Sequence, residues 1–120
     1  MSREPNADAR FRRPERIRRH AEFQQVYEHG ARIRGRYSTL FVLPNNRATG
    51  RLGIAATKKL GGAVQRNRAK RLIREVFRRN KITAGLDVVV VPKRELLEAS
   101  LTALETDYRA AFARRQRQQP

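Results

Sequence analysis

One short stretch of the chain, QRNRAKRLIREVFRRN at residues 65–80, holds its densest group of side chains that could do chemistry. Guanidinium and ammonium groups are hydrogen-bond donors that stay charged at neutral pH, and a guanidinium fork matches two phosphate oxygens. Glu75 is the one acid among them. Solvation explains a single arginine, but like charges this close repel one another unless an anion neutralises them. The group therefore suits the binding of phosphates.

The residues between these cations predict a helix over the same stretch. Five apolar side chains recur with the spacing of one helical face, and they are Ala69, Leu72, Ile73, Val76 and Phe77. At about 100° per residue Asn67, Arg71, Arg74 and Arg78 fall on the opposite face, and Arg68 and Lys70 flank it. The helix is predicted to turn one face to the protein core and the other to a polyanion.

The sequence shows no arrangement of residues suited to catalysis or to metal binding. His20 and His29 are the only histidines, there is no cysteine, and the acids are scattered. A thiolate metal site cannot form, and HExxH spacing is missing. Residues 60–64, LGGAV, lack the ending of a phosphate-binding loop. We therefore expect no catalytic residue, no metal-binding residue and no small-molecule substrate; Asp87 is expected to accept a local hydrogen bond.

Composition narrows the class of partner. The chain has 120 residues, with 28 Lys and Arg against 11 Asp and Glu, for a net charge of +17. The basic residues are spread along the chain, and the apolar face of the basic helix has strands to pack against, which favours nucleic acid over a membrane surface. No run reaches membrane-spanning length, and no secretory signal is present. We expect a cytoplasmic protein without a membrane partner.

Patterning along the chain predicts one α+β domain at residues 16–115, a disordered basic arm at 1–15 and a frayed tail at 116–120. The predicted order is α-β-β-(β)-α-β-α, with helices packed on a mixed sheet; a further strand at 31–35 is left open. The predicted elements are a helix at 20–30, a strand at 36–44, a strand at 51–57 antiparallel to it, the basic helix, a buried central strand at the valine run 86–92, and a helix at 94–115.

Aromatic residues form a second group of interest. Phe23 and Tyr27 are four apart on the first helix, and Tyr37 and Phe41 are predicted to share one face of the first strand. Such rings can simply belong to the core. Exposed on a sheet beside basic residues, they can instead stack the bases of single-stranded RNA. The pattern leaves both interpretations open.

Residues 55–77, AATKKLGGAVQRNRAKRLIREVF, resemble the signature region of the bacterial ribonuclease P protein component. That family shows a strand, a Lys-Lys-aliphatic-Gly segment and then Arg-Asn-Arg-x-Lys-Arg-x-x-Arg. The matching residues are Lys58, Lys59, Gly61, Ala63, Val64, Arg66, Asn67, Arg68, Lys70, Arg71 and Arg74. Residues 18–30 are similar to the family's first helix, and the resemblance spans about residues 16–113. The chain departs from the family at Gly62, where Asn is common.

The resemblance implies a left-handed strand–helix–strand crossover around the basic helix, against the usual right-handed preference. It implies the protein subunit of ribonuclease P, which assists removal of the 5′ leader from precursor tRNA while the RNA subunit performs the hydrolysis with Mg²⁺. The residues implied to bind the catalytic RNA are Lys58, Lys59, Arg66, Asn67, Arg68, Lys70, Arg71 and Arg74, and those implied to bind the single-stranded leader are Phe23, Tyr27 and Phe41. A non-enzymatic RNA-binding module, such as a ribosomal protein, is the alternative.

Overall fold

The structure, a computed structural model, describes residues 15–81 and 83–118. Within them lie α1 (His20–His29), β1 (Ala31–Arg34), β2 (Ser38–Pro44), β3 (Arg51–Ile54), α2 (Ala63–Arg79), β4 (Leu86–Pro92) and α3 (Leu101–Gln118). Short 3-10 turns at Lys58–Leu60 and Arg94–Glu98 precede α2 and α3. The predicted α+β class and element order are confirmed, and the strand left open at 31–35 is β1.

The four strands form one mixed sheet in the order β1-β2-β4-β3. β4 pairs antiparallel with β2 and parallel with β3. The sequence predicts β3 antiparallel to β2, and its direction agrees; however, the two strands are not paired, because β4 lies between them. The valine run explains this position, since Val88, Val89 and Val90 are buried on both faces as a central strand requires. The chain passes from β3 to β4 through α2, and the left hand of this crossover stays a prediction.

Helices cover the two faces of the sheet unequally. On one face, α2 and α3 enclose the main core, in which Phe77 packs with Leu40 and Val88. On the other face, α1 packs alone and forms a smaller cluster around Val26 and Val89. Among the described helices, none has the length and apolar character that crossing a membrane requires. The lone helix leaves much of its sheet face half-buried rather than closed.

The amphipathic pattern of α2 is confirmed. Ala69, Ile73, Val76 and Phe77 are buried, and Leu72 is half-buried against the same core. These positions recur on one face of the helix, and the polar residues between them remain on the outside. The core thereby fixes which side of α2 is offered to solvent.

Both ends of the chain differ from the predicted boundaries. The helix predicted at 94–115 is divided, because the Ser100 hydroxyl accepts a hydrogen bond from the Ala103 N–H at 3.1 Å and starts α3 there. α3 then continues past residue 115 into the predicted tail. Glu15, assigned to the predicted arm, forms an ion pair with Lys81 at 2.7 Å. Residues 1–14 of that arm lie outside the described residues.

Candidate nucleic-acid interface

The 3-10 turn before α2 and the first half of α2 carry what we call the cationic surface. It consists of Lys58, Lys59, Arg66, Asn67, Arg68, Lys70, Arg71 and Arg74. Arg66 and Lys70 are half-buried and the other six side chains are exposed. Within residues 15–81 and 83–118, none of its lysines and arginines forms an ion pair. The eight residues that the resemblance assigns to the catalytic RNA thus lie on one continuous segment of the chain, and their contact with RNA stays a prediction.

Glu75 marks the end of this uncompensated charge. Its carboxylate accepts a hydrogen bond from Arg78 Nε at 3.1 Å, and Arg79 Nη1 lies 4.0 Å away. Arg79 Nε also pairs with Glu105 of α3 at 3.3 Å. The hydrogen bond from Arg78 outweighs partial burial and lowers the pKa of Glu75. The second half of α2 is therefore internally neutralised, whereas the first half is not.

Arg74 lies where the cationic surface borders an open cleft. The cleft separates α2 from the segment before α1, and the residues lining it are Arg16, Ile17, Arg18, Phe23, Leu52, Ile54, Lys70 and Arg74. Burial, followed by repulsion from Arg16, lowers the pKa of Arg74. An anion in this cleft would relieve that repulsion, since opposite charge favours the protonated guanidinium.

One arginine of the cationic surface also has an internal bond. Arg66 Nη1 donates a hydrogen bond to the Gly61 carbonyl oxygen at 2.9 Å. This contact ties the first turn of α2 to the residue that follows the 3-10 turn. Arg66 consequently supports the backbone geometry at the start of α2, as well as contributing charge.

Phe23, Tyr27 and Phe41 meet as the sequence predicts, and we call the space beside them the aromatic cleft. The Tyr27 ring lies 5.0 Å from that of Phe41 in an edge-to-face arrangement and 6.4 Å from that of Phe23. All three side chains are half-buried. Phe23 lies so close to β3 that a Cβ on Gly53 would come within 2.8 Å of its ring. Each side chain packs against the smaller cluster and also keeps part of its surface exposed, so the two interpretations of these residues are compatible.

Tyr37 does not join this group, and its predicted position on the face of Phe41 is wrong. It precedes β2 and packs against the main core on the opposite face of the sheet. There it lines a small pocket with Leu96 and Tyr108. The amides of Arg36 and Tyr37 donate to Asp107 of α3 at 3.1 and 3.2 Å, and these bonds hold the turn on the α3 side.

A partly buried ionic network centred on Arg51 was not predicted from the sequence. Arg51 donates two hydrogen bonds to the Asp87 carboxylate, from Nε at 2.9 Å and from Nη2 at 2.7 Å. Its Nη1 reaches Glu22 of α1 at 3.0 Å. Asp87 accepts hydrogen bonds as expected, but the prediction that the partner is local is wrong, since Arg51 and Asn45 lie 36 and 42 residues away along the chain. Arg51 and Asp87 are register partners of β3 and β4, a pairing that residue spacing along the chain does not reveal.

The network positions the aromatic cleft. Glu22 also accepts the amide hydrogens of Arg18 and Arg19 at 3.3 Å, so it holds the first turn of α1. Phe23 is the next residue along this turn. By fixing Glu22 to the sheet through Arg51, the protein sets where the Phe23 ring lies against Gly53.

The described residues do not bring metal ligands together. Nowhere in 15–81 and 83–118 do three His, Cys, Asp or Glu side chains lie as they would around a metal ion. His20 and His29 are exposed at the two ends of α1. The chemistry on offer in this region is phosphate binding by cations and base stacking by rings.

Fold and site together define a small basic α+β protein in which Lys70 and Arg74 of the cationic surface and Phe23 of the aromatic cleft line the same open groove. The family model for ribonuclease P matches residues 11–116. The ribonuclease P protein component of Syntrophus aciditrophicus is 45% identical over 85 residues, which cover 69% of this chain and 71% of that relative.

Solved structures agree with this similarity. The ribonuclease P protein of Staphylococcus aureus superposes with a TM-score of 0.73 at 30% identity, covering 82% of this chain and 93% of that one. The protein from Thermotoga maritima gives a TM-score of 0.71 at 33% identity, with 78% and 91% covered. The chain therefore belongs to the family of ribonuclease P protein components.

Proposed function

We propose that the chain binds the catalytic RNA of ribonuclease P through its cationic surface and the single-stranded 5′ leader of precursor tRNA through its aromatic cleft. In this role it assists Mg²⁺-dependent endonucleolytic removal of the leader, which leaves the mature 5′ end of the tRNA. The catalytic RNA and precursor tRNA are then its partners, and the cytoplasm is where it works.

The observation that carries this proposal is the continuity of the two surfaces. Phe23 of the aromatic cleft and Lys70 and Arg74 of the cationic surface line one open groove. A phosphate chain bound by Lys70 and Arg74 can therefore reach the Phe23 ring, and Tyr27 and Phe41 are the next rings in contact with it and with each other. Stacking on half-buried rings needs unpaired bases, which a leader offers and a tRNA duplex does not.

Hydrolysis is assigned to the RNA partner. Four of the described acids are engaged in hydrogen bonds within the fold: Asp87 and Glu22 bind Arg51, Glu75 binds Arg78, and Asp107 binds backbone amides. Across residues 15–81 and 83–118, the acidic and histidine side chains form no cluster suited to a metal ion. Since these side chains do not form a site that fits Mg²⁺, we propose that the RNA holds the ion. The protein contributes binding and orientation.

Reconstitution tests the proposal. Adding the protein to a ribonuclease P RNA should raise the affinity for precursor tRNA over that for mature tRNA, and RNA-free protein alone should leave the precursor intact. Phe23→Leu and Phe41→Leu remove the stacking surface while keeping an apolar side chain against the sheet. Each should weaken precursor binding by roughly ten-fold.

Mature tRNA provides the control because it lacks the leader. Its affinity should be unchanged in both variants, and thermal unfolding should confirm that they remain folded. Equal losses for the two tRNAs would show that the rings act only as core. Leader removal by the protein without RNA would refute the assignment of hydrolysis.

A further inference from the structure

Two arginines of the edge strand β1 lie on the face of the sheet that carries the aromatic cleft. Ile33, between them, is buried in the main core opposite Leu40. Because side chains alternate along a strand, Arg32 and Arg34 face the other way. Their register partners on β2 are Phe41 and Thr39. Arg32 is thus the direct cross-strand neighbour of a ring in the aromatic cleft.

These two arginines are available to a ligand. Both are exposed, and neither forms an ion pair with an acid in the part of the chain that the structure describes. On the same side of α1, Val91 and Ala55 are half-buried beside Tyr27 and Phe41. The groove floor there is apolar and open, and cations stand at its β1 edge.

The aromatic cleft consequently has positively charged side chains at both of its ends. Lys70 and Arg74 stand beyond β3, and Arg32 and Arg34 stand on β1 at the opposite edge of the sheet. Three strand spacings, about 14 Å, separate β3 from β1. A chain that stacks its bases on rings between these edges has phosphates at each end, and each end offers guanidinium groups to meet them.

We propose that Arg32 and Arg34 form a distal phosphate clamp, which binds leader nucleotides farther from the cleavage point than those in the aromatic cleft. The clamp rests on the proposed function, because it extends the leader path across the sheet. It predicts that the protein recognises how long the leader is. A leader too short to cross the sheet gains nothing from β1, and a longer one gains two charge-assisted contacts.

Protection of the exposed strand edge is the other role that such arginines can have, since charge on an edge discourages pairing with another chain. Arg114 of α3 already donates to the Arg34 carbonyl oxygen at 2.8 Å, so one backbone acceptor of that edge is occupied by α3. Edge protection also does not require a position beside Phe41. The two roles differ in what each predicts for leader length.

The test measures how tightly the reconstituted ribonucleoprotein binds precursor tRNAs whose leaders are lengthened one nucleotide at a time. Wild-type affinity should rise with leader length and then level off. In Arg32→Gln/Arg34→Gln the rise should end earlier, with short-leader affinity unchanged and long-leader affinity lower by roughly ten-fold. Arg32→Lys/Arg34→Lys should recover most of this loss because it keeps the charge.

Arg47→Gln is the matched control for a single lost charge. Arg47 is exposed in the loop after β2, at the far end of that strand from Thr39. It should leave the length dependence intact. Sedimentation should show Arg32→Gln/Arg34→Gln in the same oligomeric state as wild type, and aggregation of that variant would favour edge protection instead.

Each remaining outcome is decisive. Unchanged long-leader affinity in Arg32→Gln/Arg34→Gln would overturn the clamp while leaving the aromatic cleft in place. Equal loss for mature tRNA would also overturn it, since the arginines would then contact the tRNA body or the RNA subunit. A wild-type protein indifferent to any leader would refute the proposed leader site itself.

Discussion

Arginine has opposite roles in two regions of this molecule. At the junction of α1 with the sheet, Arg51 is 11% exposed in its side chain and bound to Asp87 and Glu22. On the cationic surface, Arg68, Arg71 and Arg74 are exposed and form no ion pair with any described acid. One guanidinium is an internal cross-link, and the others are open to an external anion.

The difference follows from where acids are placed. Hydrogen bonding to Asp87 raises the pKa of Arg51 despite partial burial. Contacts within the protein therefore stabilise the charged form of Arg51. Burial and repulsion from Arg16 lower the pKa of Arg74. The surroundings of Arg74 therefore disfavour its charged form. A charged side chain that the protein itself does not neutralise is a candidate for binding an oppositely charged partner.

Removing the internal arginine should have the largest effect. Arg51→Met keeps an apolar stem but leaves Asp87 and Glu22 without their counter-ion, and we expect a loss of about 3–5 kcal/mol in the free energy of unfolding. Urea denaturation measures it, with Arg47→Met as the exposed control. Arg51→Met/Asp87→Leu should recover part of the loss, because only Glu22, the more exposed of the two acids, then lacks its counter-ion. A loss under about 1 kcal/mol would show that the ion pairs of Arg51 contribute no more to stability than exposed surface ion pairs do.

Removing exposed arginines should affect RNA binding instead of stability. Arg68→Gln/Arg71→Gln/Arg74→Gln should weaken affinity for the catalytic RNA by roughly a hundred-fold. The slope of log affinity against log salt concentration should become shallower by roughly 0.7 to 0.9 for each phosphate that the variant no longer neutralises. The free energy of unfolding should be unchanged or slightly higher, because the variant removes repulsion among the cations of this surface.

The control for that variant carries the same net charge. Arg32→Gln/Arg34→Gln/Arg47→Gln removes three exposed cations away from α2, and without tRNA present it should bind the catalytic RNA almost normally. If both triple variants lose affinity equally, net charge rather than the cationic surface drives binding.

Acid should weaken the internal network at Glu22. Burial acts to raise the pKa of Glu22, but hydrogen bonds from Arg51 and from the amides of Arg19 and Arg18 outweigh it and lower the pKa below the ordinary 4.5. A lowered native pKa stabilises the fold above the ordinary value, and this contribution disappears as pH falls through the native one. Wild type should therefore be more stable than Glu22→Gln at neutral pH, and the difference in the free energy of unfolding should shrink as the pH falls below 4.5 and through the lowered native pKa of Glu22.

Glu28→Gln supplies the comparison for this experiment. Glu28 is exposed on the same helix, 3.9 Å from His29, and is not bonded to an arginine in the described residues. Its variant should show a smaller change between neutral and acid conditions. If the difference in stability between wild type and Glu22→Gln does not depend on pH, the charge of Glu22 does not contribute to the network.

The smallest effect is expected at Gly62, where the family commonly has Asn. Gly62 precedes α2 with φ −77° and provides no side-chain cap, and a Cβ there would approach Gln65 Oε1 at 3.3 Å. Gly62→Asn should cap the helix and raise stability by a few tenths of a kcal/mol. Thermal unfolding checks this against Gly62→Ala, which adds a Cβ without a cap. An Asn variant no more stable than the Ala variant would show that the cap does not form.

Much of the cationic surface could be predicted from sequence because helical periodicity is a local property. The buried face of α2 and the opposite cations follow from spacing alone. The valine run likewise indicates a central strand, since both of its faces must be covered. Aromatic spacing suggested Phe23, Tyr27 and Phe41 without deciding between core and surface, because half-burial depends on how much of the sheet α1 covers.

Tertiary structure alone decided which strands are neighbours, and that decision set the rest. With β4 placed between β2 and β3, Arg51 lies beside Asp87 and within reach of Glu22. With β1 paired to β2, Arg32 lies beside Phe41. Tyr37, assigned by alternation to the face of Phe41, lies across the sheet because it precedes the strand. Spacing along a chain fixes the face of one helix or strand, whereas contacts between strands arise from pairing, which brings together residues that the sequence keeps far apart.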